Sequence, residues 1–239
     1  MQIHCFQHMP DEGPGHIAAW ATTRGHHLHV SAWHNPTAAS PDFSRADLLV
    51  VLGGAMGVHD EAEFPWLRQE KSAIKAALDA NVPVLGLCLG SQLVAQQLGA
   101  TVGRNAEPEV GFWPVQFTLE ARQHSLFRHV PEAVLALHWH YDAFTLPPGA
   151  QLLAYSPPTS CQGFLWGERV VGLQFHPEAD AQWLASIVEA EGHLLKPAAF
   201  VQTPTAIQAE AATLETSPAF LYPLLDGMLA LNAPPGSRH

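Results

Sequence analysis

The stretch Val82-Pro83-Val84-Leu85-Gly86-Leu87-Cys88-Leu89-Gly90-Ser91-Gln92 constrains the fold more than any other. Its apolar run, opened by a proline, predicts a buried strand. A cysteine with glycines on both sides then predicts a sharp turn. Leu93 to Leu98 continues as a helix, and Gly99 closes it, because glycine takes the left-handed conformation that follows many helices. Strand, turn and helix in this order set a side chain at the carboxyl end of a parallel strand. The N–H groups and positive dipole end of the new helix would favour a thiolate there. A lone cysteine is more often a small buried residue. Gly86 and Gly90 argue for a nucleophile, since they make room for a strained turn.

The rest of the first half fits a doubly wound α/β sheet. Met1 to Phe6 alternates as a strand, His16 to Arg24 reads as a helix ended by Gly25, and His29 to Trp33 as a second strand. Asp47 to Leu52 is a continuous apolar run, as a strand buried on both faces requires. It ends in Gly53-Gly54, where backbone can approach a ligand closely. Pro65 to Ala80 carries a helical stripe, with Asn81 as a left-handed cap. Strands alternating with helices predict a flavodoxin-like, mostly parallel sheet with helices on both faces and a nucleophile elbow at Cys88. Ligands of such sheets sit at the carboxyl ends of the strands.

After Gly103 the pattern changes to strands separated by proline-rich turns, at 111–119, 134–139 and 151–155. Phe164 to Phe175 reads as a hairpin turning at Gly167, and its second arm runs into His176-Pro177-Glu178. Asp180 to Leu194 is a helix with Asp180 as its N-cap. Residues 1–195 form the expected domain. Residues 196–239 form a helical extension, with helices over 206–216 and 218–231, packed on it and disordered at its end.

Composition narrows the function. The formal net charge of −11 disfavours nucleic acid and anionic membrane as partners. Three cysteines (5, 88 and 161) suit a reducing cytoplasm better than a disulfide scaffold. Neither a basic leader nor a membrane-length apolar run is present, which also points to the cytoplasm. The fifteen histidines are scattered without metal-binding spacing, so no metal or other cofactor is expected.

A cysteine nucleophile needs a base and a group to orient it. His176 ends an apolar strand, and Glu178, two residues on, can hold its tautomer. Glu178 could also be an ordinary surface carboxylate. The two motifs together, Gly86-Leu-Cys88-Leu-Gly-Ser-Gln92 and Gly172-Leu-Gln-Phe-His176-Pro-Glu178, resemble the class I (triad) glutamine amidotransferases over roughly residues 1–195. Within them the chain is most similar to stand-alone domains like the amidotransferase part of GMP synthase.

The resemblance implies that Cys88 attacks the side-chain amide of glutamine and that His176, oriented by Glu178, moves the protons. It implies an oxyanion hole from the N–H groups of Leu89 and Gly54. It assigns substrate contacts to Gly53, Gln92 and the segment Trp139-His140-Tyr141-Asp142. Gln92 could instead be an exposed helix residue, and His140 with Asp142 a polar pair in a loop. Many relatives have glycine where Tyr141 stands, so the pocket shape differs here. Glu109 falls in a segment similar to the family's, with no role assigned. No phosphate-cradling loop or synthetase domain accompanies the motifs. Three functions follow as alternatives: an amidotransferase or glutaminase, passing ammonia to a separate synthetase or acting alone; a hydrolase or peptidase of other γ-glutamyl compounds; and a non-catalytic binding or regulatory module.

Overall fold

The computed structural model describes residues 1–35, 38 and 41–232. Four strands open the sheet: β1 (Gln2–Gln7), β2 (His27–Ala32), β3 (Leu48–Val51) and β4 (Val84–Leu87). Helices α1 (Gly15–Thr23) and α2 (Trp66–Asp79) make crossovers between them, and α3 (Leu89–Gln97) follows β4. All pairings among these strands are parallel, in the order β2-β1-β3-β4.

Strand periodicity decides which helix covers which face. Leu48 and Val50 join Leu85 and Leu87 in one core with Ile17 and Trp20 of α1. Leu49, Val51 and Val84 turn to the other face, against Ile74 of α2 and Leu93 of α3. Both faces are covered, so β3 and β4 need apolar residues at every position. The two left-handed caps read from the sequence are present: Asn81 has φ 56° and Gly99 φ 89°.

The second half adds β5 (Val102–Phe117), α4 (Leu119–Gln123), β6 (Ala133–Phe144), β7 (Ala150–Tyr155), β8 (Gly163–Trp166) and β9 (Val170–Leu173). Strand β9 pairs parallel with β4; the remaining pairings, through β8, β7 and β5 to β6, are antiparallel. The α/β flavodoxin-like class stands, in a nine-stranded mixed sheet whose parallel part carries the elbow. Two strands are longer than the sequence suggests. β5 begins at Val102, and β6 continues past Trp139 to Phe144, so the segment 139–142 is strand and not loop. A register shift between Arg104 and Glu109 lets β5 stay paired with β6 along this length.

Helix α5 (Ala181–Glu191) follows, and the Asp180 side chain accepts from Trp183 N at 2.9 Å, as an N-cap should. The expected helix over 206–216 is shorter and starts earlier. It is α6 (Pro204–Ala209), capped by Thr203, followed by a 3-10 turn over Ala211–Thr216. Helix α7 (Ser217–Ala230) returns to the sheet. Its Phe220, Leu221, Leu224, Leu225 and Met228 join the same core as α1 and the strands. The last few residues, expected to be disordered, lie outside the described residues. No helix among the described residues is long and apolar enough to cross a membrane.

Candidate active site

Strands β3, β4 and β9 are parallel neighbours, so their carboxyl ends converge. The first ends in Gly53-Gly54, the second in Cys88, the third in the turn to His176. Cys88 has φ 49° and ψ −112°, a strained conformation for a residue with a side chain. The chain holds it there by close packing on both sides. A Cβ at Gly90 would lie 2.0 Å from the Val51 carbonyl oxygen, and one at Gly86 would lie 2.7 Å from the Gly90 oxygen. Cys88 N donates to Leu173 O at 2.9 Å and Gly90 N to Leu52 O at 3.0 Å. The elbow is thereby tied to both neighbouring strands, and the N–H of Leu89 between them heads the helix.

His176 Nδ1 donates to Glu178 Oε1 at 2.8 Å, and Cys88 is near enough for its sulfur to act on the imidazole. Both side chains of the His–Glu pair are buried. Burial alone would lower the His176 imidazolium. The facing Glu178 carboxylate and the Cys88 sulfur outweigh it and hold it well above the ordinary value. The Trp183 ring, 4.8 Å away, packs against the imidazole. Gly53 lets that imidazole in: a Cβ there would come within 2.8 Å of its Cε1. The turn is also tied to the β1–α1 loop, where His16 N donates to the Glu178 carbonyl at 2.8 Å. Gly15 passes so close to that carbonyl that a Cβ would overlap it at 2.2 Å.

A cleft of about 360 Å³ opens over Cys88. Gly54, Leu89, Gln92 and His176 line its floor, and Trp139 to Asp142 line a wall. Gly53 and Glu178 stand behind that lining. Gln92 is buried rather than exposed, because its amide Nε2 donates to Asp142 O and to Gln174 Oε1, each at 3.1 Å. It links the elbow helix to the wall. Gln174, between the end of β9 and His176, donates from Nε2 to Cys88 Sγ at 3.7 Å.

His140 Nδ1 lies 3.2 Å from the Asp142 carbonyl oxygen, so the two residues are joined side chain to backbone and not side chain to side chain. Asp142 pairs with Arg104 at 3.7 Å, and the Arg104 guanidinium lies 4.9 Å from the Tyr141 ring centre. His140 Nε2 lies 3.2 Å from Glu109 Oε2, directly across β5 and β6. Glu109 is fully buried and accepts further hydrogen bonds from Ser156, Thr159 and Gln162. Burial alone would raise its carboxyl, but the His140 hydrogen bond, then the neighbouring His138 and His140 rings and the Thr159 hydrogen bond bring it down to about 2. Neighbouring His138 goes the other way. Burial drives its imidazolium down to about 3, so it stands neutral. Glu109, His138 and His140 bring ligand-type atoms within 4.8 Å of one another. Both Glu109 oxygens already accept protein hydrogen bonds, while His138 Nε2 is buried without one.

Sequence reasoning missed three further groups at the cleft. His8, at the end of β1, contacts the Gly53 carbonyl and the Glu70 carboxylate, each at 2.7 Å. Glu12, from the β1–α1 loop, and Glu191, from the end of α5, are in the cleft lining. None lies in a motif, and only the strand order brings them here.

The α/β sheet, with a cysteine elbow at the end of β4 and a buried His–Glu pair at the end of β9, is matched by one family. Residues 16–186 match the model of the glutamine amidotransferase class-I family, and the chain belongs to that family. It is 31% identical, over 79% of its length and 80% of the relative's, to the glutamine amidotransferase-like protein YfeJ of Salmonella typhimurium. It is 38% identical over 132 residues to the GMP synthase of Aeropyrum pernix, which is 54% of this chain and only 24% of that protein. A crystal structure of a glutamine amidotransferase from Thermotoga maritima superposes with a TM-score of 0.87 at 28% identity, covering 96% of this chain and 98% of that one. That superposition extends beyond residue 195, so it takes in much of the C-terminal extension.

Proposed function

We propose that the chain hydrolyses the side-chain amide of glutamine, or of a related γ-glutamyl compound, through a thioester on Cys88, with His176 and Glu178 completing the triad. The observation that carries this reading is the buried 2.8 Å His176–Glu178 bond ending at a strained cysteine elbow. The raised His176 imidazolium favours a thiolate–imidazolium pair at rest. The thiolate attacks the γ-carbonyl carbon. The resulting oxyanion faces the N–H groups of Leu89 and Gly54, and one such donor is typically worth about 3 kcal/mol of barrier. Collapse breaks the C–N bond, and the leaving amine takes the proton from His176. Neutral His176 then draws a proton from water, whose oxygen attacks the thioester. The acid is released and the thiolate–imidazolium pair restored.

Gly53, Gln92 and residues 139–142 shape the substrate's seat. Gln92 Nε2 is fully engaged with protein acceptors, so its part is to hold the wall; only its Oε1 is free to face a ligand. Two fates of the amine follow. In one, ammonia passes to a separate synthetase, in keeping with a match to one subunit of the glutamine-hydrolysing GMP synthase of Methanocaldococcus jannaschii. In the other, the protein acts alone on γ-glutamyl amides, which Tyr141 and the acidic side chains of the cleft favour. In either case residues 1–195 carry the chemistry, and the described part of the extension packs on them through α7.

The test is a substrate panel of glutamine, γ-glutamyl peptides and glutathione on wild type and Cys88→Ala, with labelling by a glutamine-like electrophile. We expect hydrolysis and labelling at Cys88 in the wild type and neither in the variant. Hydrolysis that survives in Cys88→Ala would sink the mechanism. Absence of labelling would favour a binding or regulatory module.

A further inference from the structure

The cleft holds more negative charge than a glutamine side chain requires. Its lining includes Glu12, Asp60, Asp142 and Glu191, against one permanent cation, Arg104. Three of the carboxylates are engaged. Asp60 accepts from Gly57 N at 2.7 Å, Asp142 pairs with Arg104, and Glu191 accepts from Trp139 Nε1 at 2.7 Å. Glu12 is only 9% exposed, yet its carboxylate has no hydrogen bond or ion pair among the described residues. No protein donor among the described residues meets that carboxylate, and its oxygens open to the cleft. Gln7 Nε2 ties the loop to Met9 O and Pro10 O on one side, and the His16–Glu178 contact fixes it on the other.

Position gives the empty carboxylate its meaning. Glu12 lines the cleft together with His176 and Glu191, and its loop is tied to the Glu178 carbonyl through His16 N, so it stands at the His176 side. Arg104, Asp142 and Tyr141 form another part of the wall, where the amino-acid end of a γ-glutamyl group would sit. In the proposed reaction His176 protonates the departing nitrogen. A group bonded to that nitrogen therefore extends toward Glu12. For glutamine nothing extends there, because the leaving group is ammonia itself.

Resting on the thioester reading above, we propose that Glu12, with Glu191 beside it, forms a cation subsite for the leaving group. The substrates it selects are γ-glutamyl amides of amines that carry a second ammonium, such as diamines. A ligand ammonium between the two carboxylates supplies Glu12 with its missing donor and relieves their mutual repulsion. Burial, followed by the nearby Glu191, raises the Glu12 carboxyl to about 7 against the opposing pull of His176. The reaction balances as ordinary hydrolysis. The amide C–N bond breaks, water supplies hydroxyl to the acyl carbon and hydrogen to the nitrogen, and glutamate and the diamine leave.

The experiment compares γ-glutamyl-1,4-diaminobutane with γ-glutamyl-butylamide, near-isosteres that differ in the terminal ammonium. Both are assayed beside glutamine on wild type, Glu12→Gln and Glu12→Asp. We expect wild type to favour the diamine conjugate in kcat/KM by on the order of tenfold, the scale of one charge-assisted contact. Glu12→Gln brings that ratio toward one, and Glu12→Asp restores part of it. A wild-type ratio of one, with glutamine hydrolysed and Cys88 labelled, overturns the subsite and leaves the thioester reading intact. A Glu12→Gln loss that is equal for both conjugates also overturns it, since Glu12 would then act on His176 and not on the leaving group. If no γ-glutamyl compound is turned over and Cys88 is not labelled, the thioester reading fails and the subsite with it.

Discussion

His8 shows how one residue can set the geometry of a site it does not enter. Its two ring nitrogens face a carbonyl and a carboxylate, both of which only accept hydrogen bonds, so both nitrogens donate and the ring is an imidazolium. Burial works against that charge, but Glu70 and the Gly53 carbonyl outweigh it and raise the ring above its ordinary value. The contact fixes the Gly53-Gly54 backbone that would supply one oxyanion donor. His8→Ala leaves Glu70 buried without a partner, and removing one member of such a pair costs about 3–5 kcal/mol. Urea unfolding at pH 6 should read that loss, and glutamine hydrolysis should fall with it. The raised imidazolium stabilises the fold fully below its unfolded value of 6.5 and loses that contribution as pH rises through its folded value. The gap between wild type and His8→Ala therefore narrows at alkaline pH. A gap that widens would contradict the imidazolium. None of this is legible locally: His8 follows an ordinary strand, Glu70 sits in an ordinary helix, and 62 residues separate them. Glu109 and Glu12 are opaque for the same reason, whereas Cys88, His176 and Glu178 are readable because the elbow and the His-Pro-Glu turn are encoded within a few residues.

Elements are legible in proportion to how far local pattern decides them. The buried strands β3 and β4 and the capped helix α5 come through with nearly their expected bounds, since continuous apolar runs and an Asp N-cap act locally. The local pattern of β6 ends at Trp139. Its last residues, His140 to Phe144, are held as strand by cross-strand partners on β5, beginning with Glu109 opposite His140. The helix α7 has the same non-local character: Pro223 lies inside it, yet tertiary packing keeps it helical. Phe220 lies 5.9 Å from Phe175, the residue that precedes His176, so α7 buttresses the turn that carries His176. Leu225 is fully buried in the same core. Leu225→Ala should therefore cost about 2–5 kcal/mol in urea unfolding, the range for a core leucine whose cavity does not collapse. Leu194→Ala, at a leucine 61% exposed, should stay within about 0.5 kcal/mol. Equal effects at the two positions would mean that the extension is not part of the core.

At the scale of the whole molecule, buried ionisable groups near the cleft pull stability in opposite directions with pH. His138 has its imidazolium lowered from 6.5 to about 3, so the unfolded chain binds the extra proton and stability falls as pH drops across that interval. Glu109, lowered from 4.5 to about 2, adds a second loss below 4.5. Glu12 is raised from 4.5 to about 7, so the folded state binds the extra proton and stability falls as pH climbs over that range. Between 4.5 and 6.5 the His138 and Glu12 slopes oppose each other at about 1.4 kcal/mol per pH unit each and nearly cancel. Above 6.5 the raised imidazoliums of His8 and His176 add to the alkaline decline. The wild type should thus show a plateau from about pH 4.5 to 6.5 that falls away on both sides. Glu12→Gln removes one of the two opposing slopes. In that variant stability should climb with pH across the former plateau, so that its optimum moves alkaline. At pH 8 it should exceed the wild type by about 2–3 kcal/mol, with no difference below pH 4.5, where Glu12 is protonated in both states. Thermal or urea unfolding of both proteins at about pH 4.5, 5.5, 6.5 and 8 checks this. A variant less stable than wild type at alkaline pH would mean that Glu12 is held by a protein donor, and the cation subsite would lose its foundation. The expected gain identifies Glu12 as a residue whose charge serves the cleft at the expense of the fold.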